Sequence, residues 1–260
     1  MYFKAPLLLI PLLSLSCDPA SSHGNSATPA QKQWHGNDNP YASISEIPLP
    51  EGFERAEKDS NSFAGWLRRI ELKKDKTVYK YNGQPKGNQS AQFAVLNVSV
   101  GNRNLQQCAD AVMRLRAEFL FKQKKFDQIT FYDNNKTVYQ FLPPYTRSNF
   151  MSYLNRVFGM CGSASLSKQL KPVPDFKNVE AGDVLIRGGF PGHAVMVMDV
   201  ATNPEGKKIY LLAQSFMPAQ DIHILVNPND EQLSPWYEVN NDVMVKTPEY
   251  WFYRDELKHW

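Results

Sequence analysis

The chain has 260 residues, 42% of them hydrophobic and 12% aromatic, which suits a globular fold with a substantial core. Its 29 basic and 26 acidic side chains nearly cancel, for a net charge of +3. That balance, with no long block of one sign, excludes the clustered basic face of a nucleic-acid-binding protein.

The first sixteen residues have the form of a signal peptide. Lys4 supplies the positive start, and Ala5 to Leu15 form an apolar run too short to span a bilayer. The stretch Ser14-Leu15-Ser16-Cys17 resembles a bacterial lipobox, in which the cysteine is lipidated and becomes the new N-terminus. The expectation is a protein tied by Cys17 to a membrane of the cell envelope, periplasmic or outer, without spanning it. Residues 17–47 carry that cysteine and a flexible tether rich in Ser, Asn, Ala, Gly and Pro, and residues 48–260 form one globular domain.

Within the domain, Ser60-Asn61-Ser62 offers caps for a short helix through Ile70 with Phe63, Trp66, Leu67 and Ile70 on one face. Residues 77–81 and 91–100 read as strands around the turn signal Asn82-Gly83. The strongest helical pattern runs from Leu105 to about Lys125, entered through Asn104 and Gln107 as a capping box. Arg114, Arg116, Lys122, Lys124 and Lys125 read as its solvated face. A hairpin over 129–141, a helix capped by Ser148 and a short helix from Gly162-Ser163 follow. Strands are then expected near 183–187, 193–200, 208–215 and 222–226, with a hairpin turn at Asn203-Pro204-Glu205-Gly206. The last stretch reads as irregular and aromatic.

The chemistry-bearing residues gather around these elements. His193 enters an apolar strand from the glycine-rich turn Gly188-Gly189-Phe190-Pro191-Gly192, where a histidine is well placed to act as a base. Cys108 lies in the first turn of the strongest helix, where peptide dipoles favour a thiolate and a lowered pKa. A cysteine beside a histidine is the arrangement of thiol hydrolases. Gln214, across the hairpin, is a candidate to orient the imidazole, with Asp221 as the alternative. Gln106 or Gln107 is a candidate oxyanion donor. Cys161, in Cys161-Gly162-Ser163-Ala164, is the rival nucleophile, and spacing leaves a Cys108–Cys161 disulfide open as well. A metal set of His193, Asp199, Asp221 and His223 is the rival chemistry, but neither a metal nor another cofactor is expected.

Three stretches carry a family resemblance: Leu105 to Glu118, Gly188 to Val195, and Leu212 to His223. They resemble the signature stretches of a bacterial domain of unknown function, number 4846, over roughly residues 50 to 255. That resemblance implies a lipoprotein and assigns no activity. A more distant similarity, carried by Cys108, His193 and the strand pattern, is to papain-like hydrolases such as the NlpC-type peptidoglycan peptidases. It implies a papain-like α+β fold, an antiparallel sheet packed against the helix bearing Cys108. The expected function is a thiol hydrolase acting on an amide or peptide bond, with a peptide or peptidoglycan-like substrate. The alternative is a non-catalytic envelope module of the same fold, with Trp236 and Trp251 lining a groove for peptide or glycan.

Overall fold

The computed structural model describes residues 37–260. After a 3-10 turn at Ile44–Glu46, the chain forms β1 (Glu54–Arg55), α1 (Phe63–Arg68), β2 (Gln92–Val95) and α2 (Cys108–Lys122). A hairpin of β3 (Thr130–Tyr132) and β4 (Val138–Gln140) precedes α3 (Arg147–Met160) and α4 (Ser163–Gln169). Then come β5 (Lys171–Pro172), β6 (Val184–Arg187), β7 (His193–Thr202), β8 (Lys208–Gln214) and β9 (His223–Leu225). The C-terminal part adds β10 (Tyr237–Glu238), β11 (Met244–Lys246), β12 (Trp251–Tyr253) and β13 (Leu257–His259).

The result is a mixed α+β fold around a nine-stranded sheet of order β2-β9-β8-β7-β6-β13-β5, with β1 beside β7 and β10 beside β8. Every pairing in it is antiparallel. The β7–β8 hairpin is the centre because its residues are apolar on both faces. Ala194, Met196 and Met198 face one core with Val112, Leu115 and Phe119 of α2. Val195 and Val197 alternate into a second core with Leu212, Leu225 and Phe252. The sheet is therefore covered on both sides, by helices on one and by the C-terminal strands on the other.

Several boundaries differ from the sequence expectation. The expected signal peptide, Cys17 and most of the tether lie outside the described residues. The packed fold starts before residue 48: Ile44 and Ile47 are fully buried, and Ser43 bridges to Glu71. Residues 77–81 form no strand; Tyr79 and Lys80 pair only singly, with Pro85 and Gln220. The C-terminal stretch is not irregular. Its strands are two or three residues long, below the length at which alternation shows in a sequence. Arg114 is not on a solvated face; it is buried at 4% exposure and paired with Glu118. Trp236 is a core residue, its indole N–H donating to the Pro48 carbonyl. Among the described residues, no helix is long and apolar enough to cross a membrane.

Candidate functional site

His193 opens β7, opposite Arg187 of β6. The chain reaches it through Gly192, where an added Cβ would lie 2.5 Å from the Gly189 carbonyl oxygen and from Ser163 Oγ. Only glycine fits so close an approach. The imidazole packs among Phe216, Tyr250 and Phe252, with ring centroids at 4.7, 5.0 and 5.9 Å. These aromatic walls leave His193 2% exposed.

The polar partners of His193 form a chain. Its Nε2 lies 2.8 Å from Gln214 Oε1 at the end of β8. Gln214 Nε2 donates to Glu249 Oε2 at 2.7 Å, and Lys86 Nζ holds the same oxygen at 2.5 Å. The same amide nitrogen lies 3.4 Å from His223 Nε2, and His223 Nδ1 lies 2.9 Å from the Asp221 carbonyl oxygen. The donors and acceptors then assign themselves. A carboxylate accepts only, so the amide nitrogen of Gln214 must face Glu249 and its oxygen must face His193. His193 therefore carries its proton on Nε2, and its Nδ1 is a bare lone pair with no hydrogen bond among the described residues. His223 has the opposite tautomer, donating from Nδ1 to the Asp221 carbonyl.

Both imidazoles are neutral at neutral pH. Burial pushes His193 down to about 4, against the opposing pull of the Gln214 hydrogen bond and the Glu249 charge. Burial, joined by the Lys86 charge, pushes His223 down to about 3.

Cys108 is the first residue of α2 and is 8% exposed. The helix start is locked by Gln107 N–H, which donates to Asp110 Oδ2 at 3.0 Å. The expected lowering of the thiol pKa is not found. Burial pushes it up to about 11, outweighing the stabilising backbone N–H groups of Ala109, Ala194 and Cys108 itself. The thiol thus meets the backbone of Ala194, the residue after His193. No hydrogen bond joins Cys108 to His193 among the described residues. Cys161 ends α3 and precedes α4; burial pushes its thiol to about 12, and both cysteines are free.

The remaining candidates have other partners. Gln107 Nε2 donates to Asn104 Oδ1, and Gln106 Oε1 accepts from Arg114. The Asp221 carboxylate pairs with Lys73 and accepts from Tyr79 N–H, leaving Gln214 as the side chain bonded to His193. Asp199 lies toward the other end of β7 with Arg55 and Arg68. Among the described residues no group of three or more His, Cys, Asp or Glu is arranged to hold a metal ion. Sequence reasoning missed Glu249 and Lys86, which come from segments outside the strands and helices and carry no periodic signal.

A second concave surface lies at Trp251. Tyr250 and Phe252 point toward His193, while Trp251 between them points outward and is 59% exposed. Trp251 borders a cavity of about 690 Å³ whose polar lining includes Asn227, Asn229, Asn240 and Arg254.

No curated protein and no solved structure matches this chain. The model of the family described as Domain of unknown function (4846) matches residues 44–143 and 133–259, and the chain belongs to that family.

Proposed function

We propose that the protein is a papain-like thiol hydrolase of the bacterial envelope, anchored through Cys17, that cleaves an amide or peptide bond, with peptidoglycan stem peptides as the substrate class. The observation that carries this reading is the bond between His193 Nε2 and Gln214 Oε1, which assigns the His193 tautomer. Gln214 holds Nε2–H at 2.8 Å and leaves Nδ1 as an unprotonated base at the mouth of β7, one residue from the backbone that meets the Cys108 thiol.

In this mechanism the Cys108 proton passes to His193 Nδ1 as the sulfur attacks the substrate carbonyl carbon. The imidazolium then gives that proton to the leaving amine as the C–N bond breaks. Water hydrolyses the resulting thioester, with His193 again as base. Gln214 keeps the ring oriented, and Glu249 with Lys86 keeps Gln214 oriented. The resting site is a neutral thiol and a neutral imidazole, so attack requires general-base assistance from His193.

A second reading is a binding module with no chemistry. The burial of Cys108 and the exposed Trp251 bordering a cavity with Asn227, Asn229 and Asn240 in its lining favour it, since an aromatic platform edged by amides suits a glycan or peptide. Incubation with purified muropeptides separates the two. The hydrolase gives new amine and carboxyl termini by mass spectrometry, lost in Cys108→Ala and in His193→Ala. The binding module gives no product and loses muropeptide retention in Trp251→Ala.

A further inference from the structure

A smaller cavity at the N-terminal end of α2 is built from groups to which the mechanism above gives no step. It measures about 180 Å³ and is lined in part by Leu105, Gln106, Arg114, Met151 and Phe158. Asn102, Arg103 and Asn155 add polar groups to the lining, and two of its polar side chains are buried, Gln106 at 2% and Arg114 at 4% exposure. Arg114 Nη1 donates to Gln106 Oε1 at 3.1 Å. A guanidinium only donates, so this bond fixes the amide orientation. Gln106 Nε2, with two N–H groups, is buried without a partner. The Ser215 hydroxyl, shared between the Gln220 carbonyl at 2.8 Å and the Gln106 carbonyl at 3.1 Å, helps hold the residue in place.

The charge beside it is positive. Arg114 Nε bonds Glu118, and Glu118 also takes Arg147, so one carboxylate serves two guanidiniums. Arg114 Nη2 has no hydrogen bond among the described residues, and Arg103 stands in the cavity lining. The buried pair Gln106 and Arg114 therefore offers donors and positive charge, and Leu105, Met151 and Phe158 offer apolar contact. Buried donors without acceptors are uncommon in folded proteins and call for an explanation. An amine or a cation would add donors where donors already stand unmatched.

We infer that this cavity binds a carboxylate on a short apolar tail, its oxygens on the Gln106 amide N–H and the Arg114 guanidinium and its carbons on Leu105, Met151 and Phe158. The volume admits on the order of six heavy atoms, if each takes the roughly 30 Å³ of a water in the liquid. A small free acid fits whole; a peptide would insert only its C-terminal carboxylate and last side chain. This site does not depend on the hydrolase reading.

Saturation-transfer NMR on the purified protein tests it with two acids, propionate and N-acetyl-alanine, each against its primary amide. The amide keeps the carbonyl oxygen but replaces the second acceptor with donors. The expected result is a preference for acid over amide of about tenfold or more in dissociation constant. Stronger binding by propionate assigns a free acid, and stronger binding by N-acetyl-alanine a peptide terminus; both support the site. Gln106→Leu should remove the preference by removing the donor. Gln106→Glu keeps a partner for Arg114, so it should fold, and should repel both acids. Absence of transfer from either acid at millimolar concentration, equal binding of acid and amide, or unchanged binding in a folded Gln106→Glu variant overturns the inference.

Discussion

Two buried polar clusters sit toward opposite ends of β7, and they are built differently. Near the Thr202 end, Asp199 is fully buried and saturated. Its oxygens accept from Arg55 Nε, from Arg68 Nε and Nη2, and from the Val200 N–H. At the other end, His193 has one nitrogen bonded and the other free. The first cluster ties β1 and α1 to the sheet and leaves no acceptor for a ligand. The second is neutral at the ring, charged only at its outer end, and keeps one lone pair uncommitted. Burial alone does not mark a site, because both clusters are buried; the unmatched valence distinguishes them.

The largest effect should come from breaking the saturated end. Asp199→Ala leaves two guanidiniums without their buried partner and is expected to destabilise the fold by about 3–5 kcal/mol in chemical denaturation. The His193 tautomer in the surviving folded protein, read from its nitrogen NMR shifts, should be unchanged. If Asp199→Ala costs nothing, the contrast between the two ends fails.

Gln214→Leu comes next. It strips the only hydrogen bond from His193 Nε2, while Glu249 keeps Lys86 and Asn88, for an expected loss of about 1–3 kcal/mol, the cost of one buried group left unsatisfied. The same variant should release the His193 ring to both tautomers, which a purely packing role for Gln214 would not do.

The pH dependence sharpens the comparison further. His193 has its folded pKa lowered to about 4, so below the unfolded value of about 6.5 the unfolded chain binds a proton that the folded one refuses. Its contribution to stability is present above that value and is lost as pH falls toward the folded pKa. Asp183, raised to about 6 by burial, acts in the opposite sense over an overlapping window, so the informative quantity is a difference. Between pH 6 and 4.5 the parent should lose stability relative to His193→Gln by up to about 1.4 kcal/mol per pH unit. Parallel stability curves would mean that His193 is not held neutral.

The smallest effect is expected at the entry loop. Phe190 is 97% exposed, and Phe190→Ala should change stability by no more than about 0.5 kcal/mol. A larger loss in denaturation would mean the ring packs on the site in solution.

Much of this contrast is legible in the sequence, for identifiable reasons. The apolar runs of β7 and β8 and the turn at Asn203-Pro204-Glu205-Gly206 set the hairpin, and the hairpin brings Gln214 to His193. The helical spacing of Cys108, Val112, Leu115 and Phe119 sets α2 against β7. What the sequence hides depends on long-range burial. Lys86 and Glu249 are 163 residues apart and lie on segments without periodicity. Arg114 has the composition of a solvated face and becomes buried only because loop 101–106 and α3 close over it. Likewise the dipole argument for a thiolate at Cys108 is sound locally, and the packing of α2 on the sheet overrides it.

The central claim is that the open nitrogen of His193 serves the Cys108 thiol. The pH dependence of iodoacetamide labelling, read for Cys108 and Cys161 separately by mass spectrometry, tests it most directly. A base already neutral above about 4 and a thiol that ionises only at about 11 predict a Cys108 rate nearly flat from pH 5 to 9. In His193→Ala that rate should fall at neutral pH and climb about tenfold per pH unit, as a bare thiolate population does. Cys161 should climb in the same way in both proteins. A steep Cys108 profile in the parent, indifferent to His193, or no native labelling of Cys108 until the protein unfolds, would contradict the account.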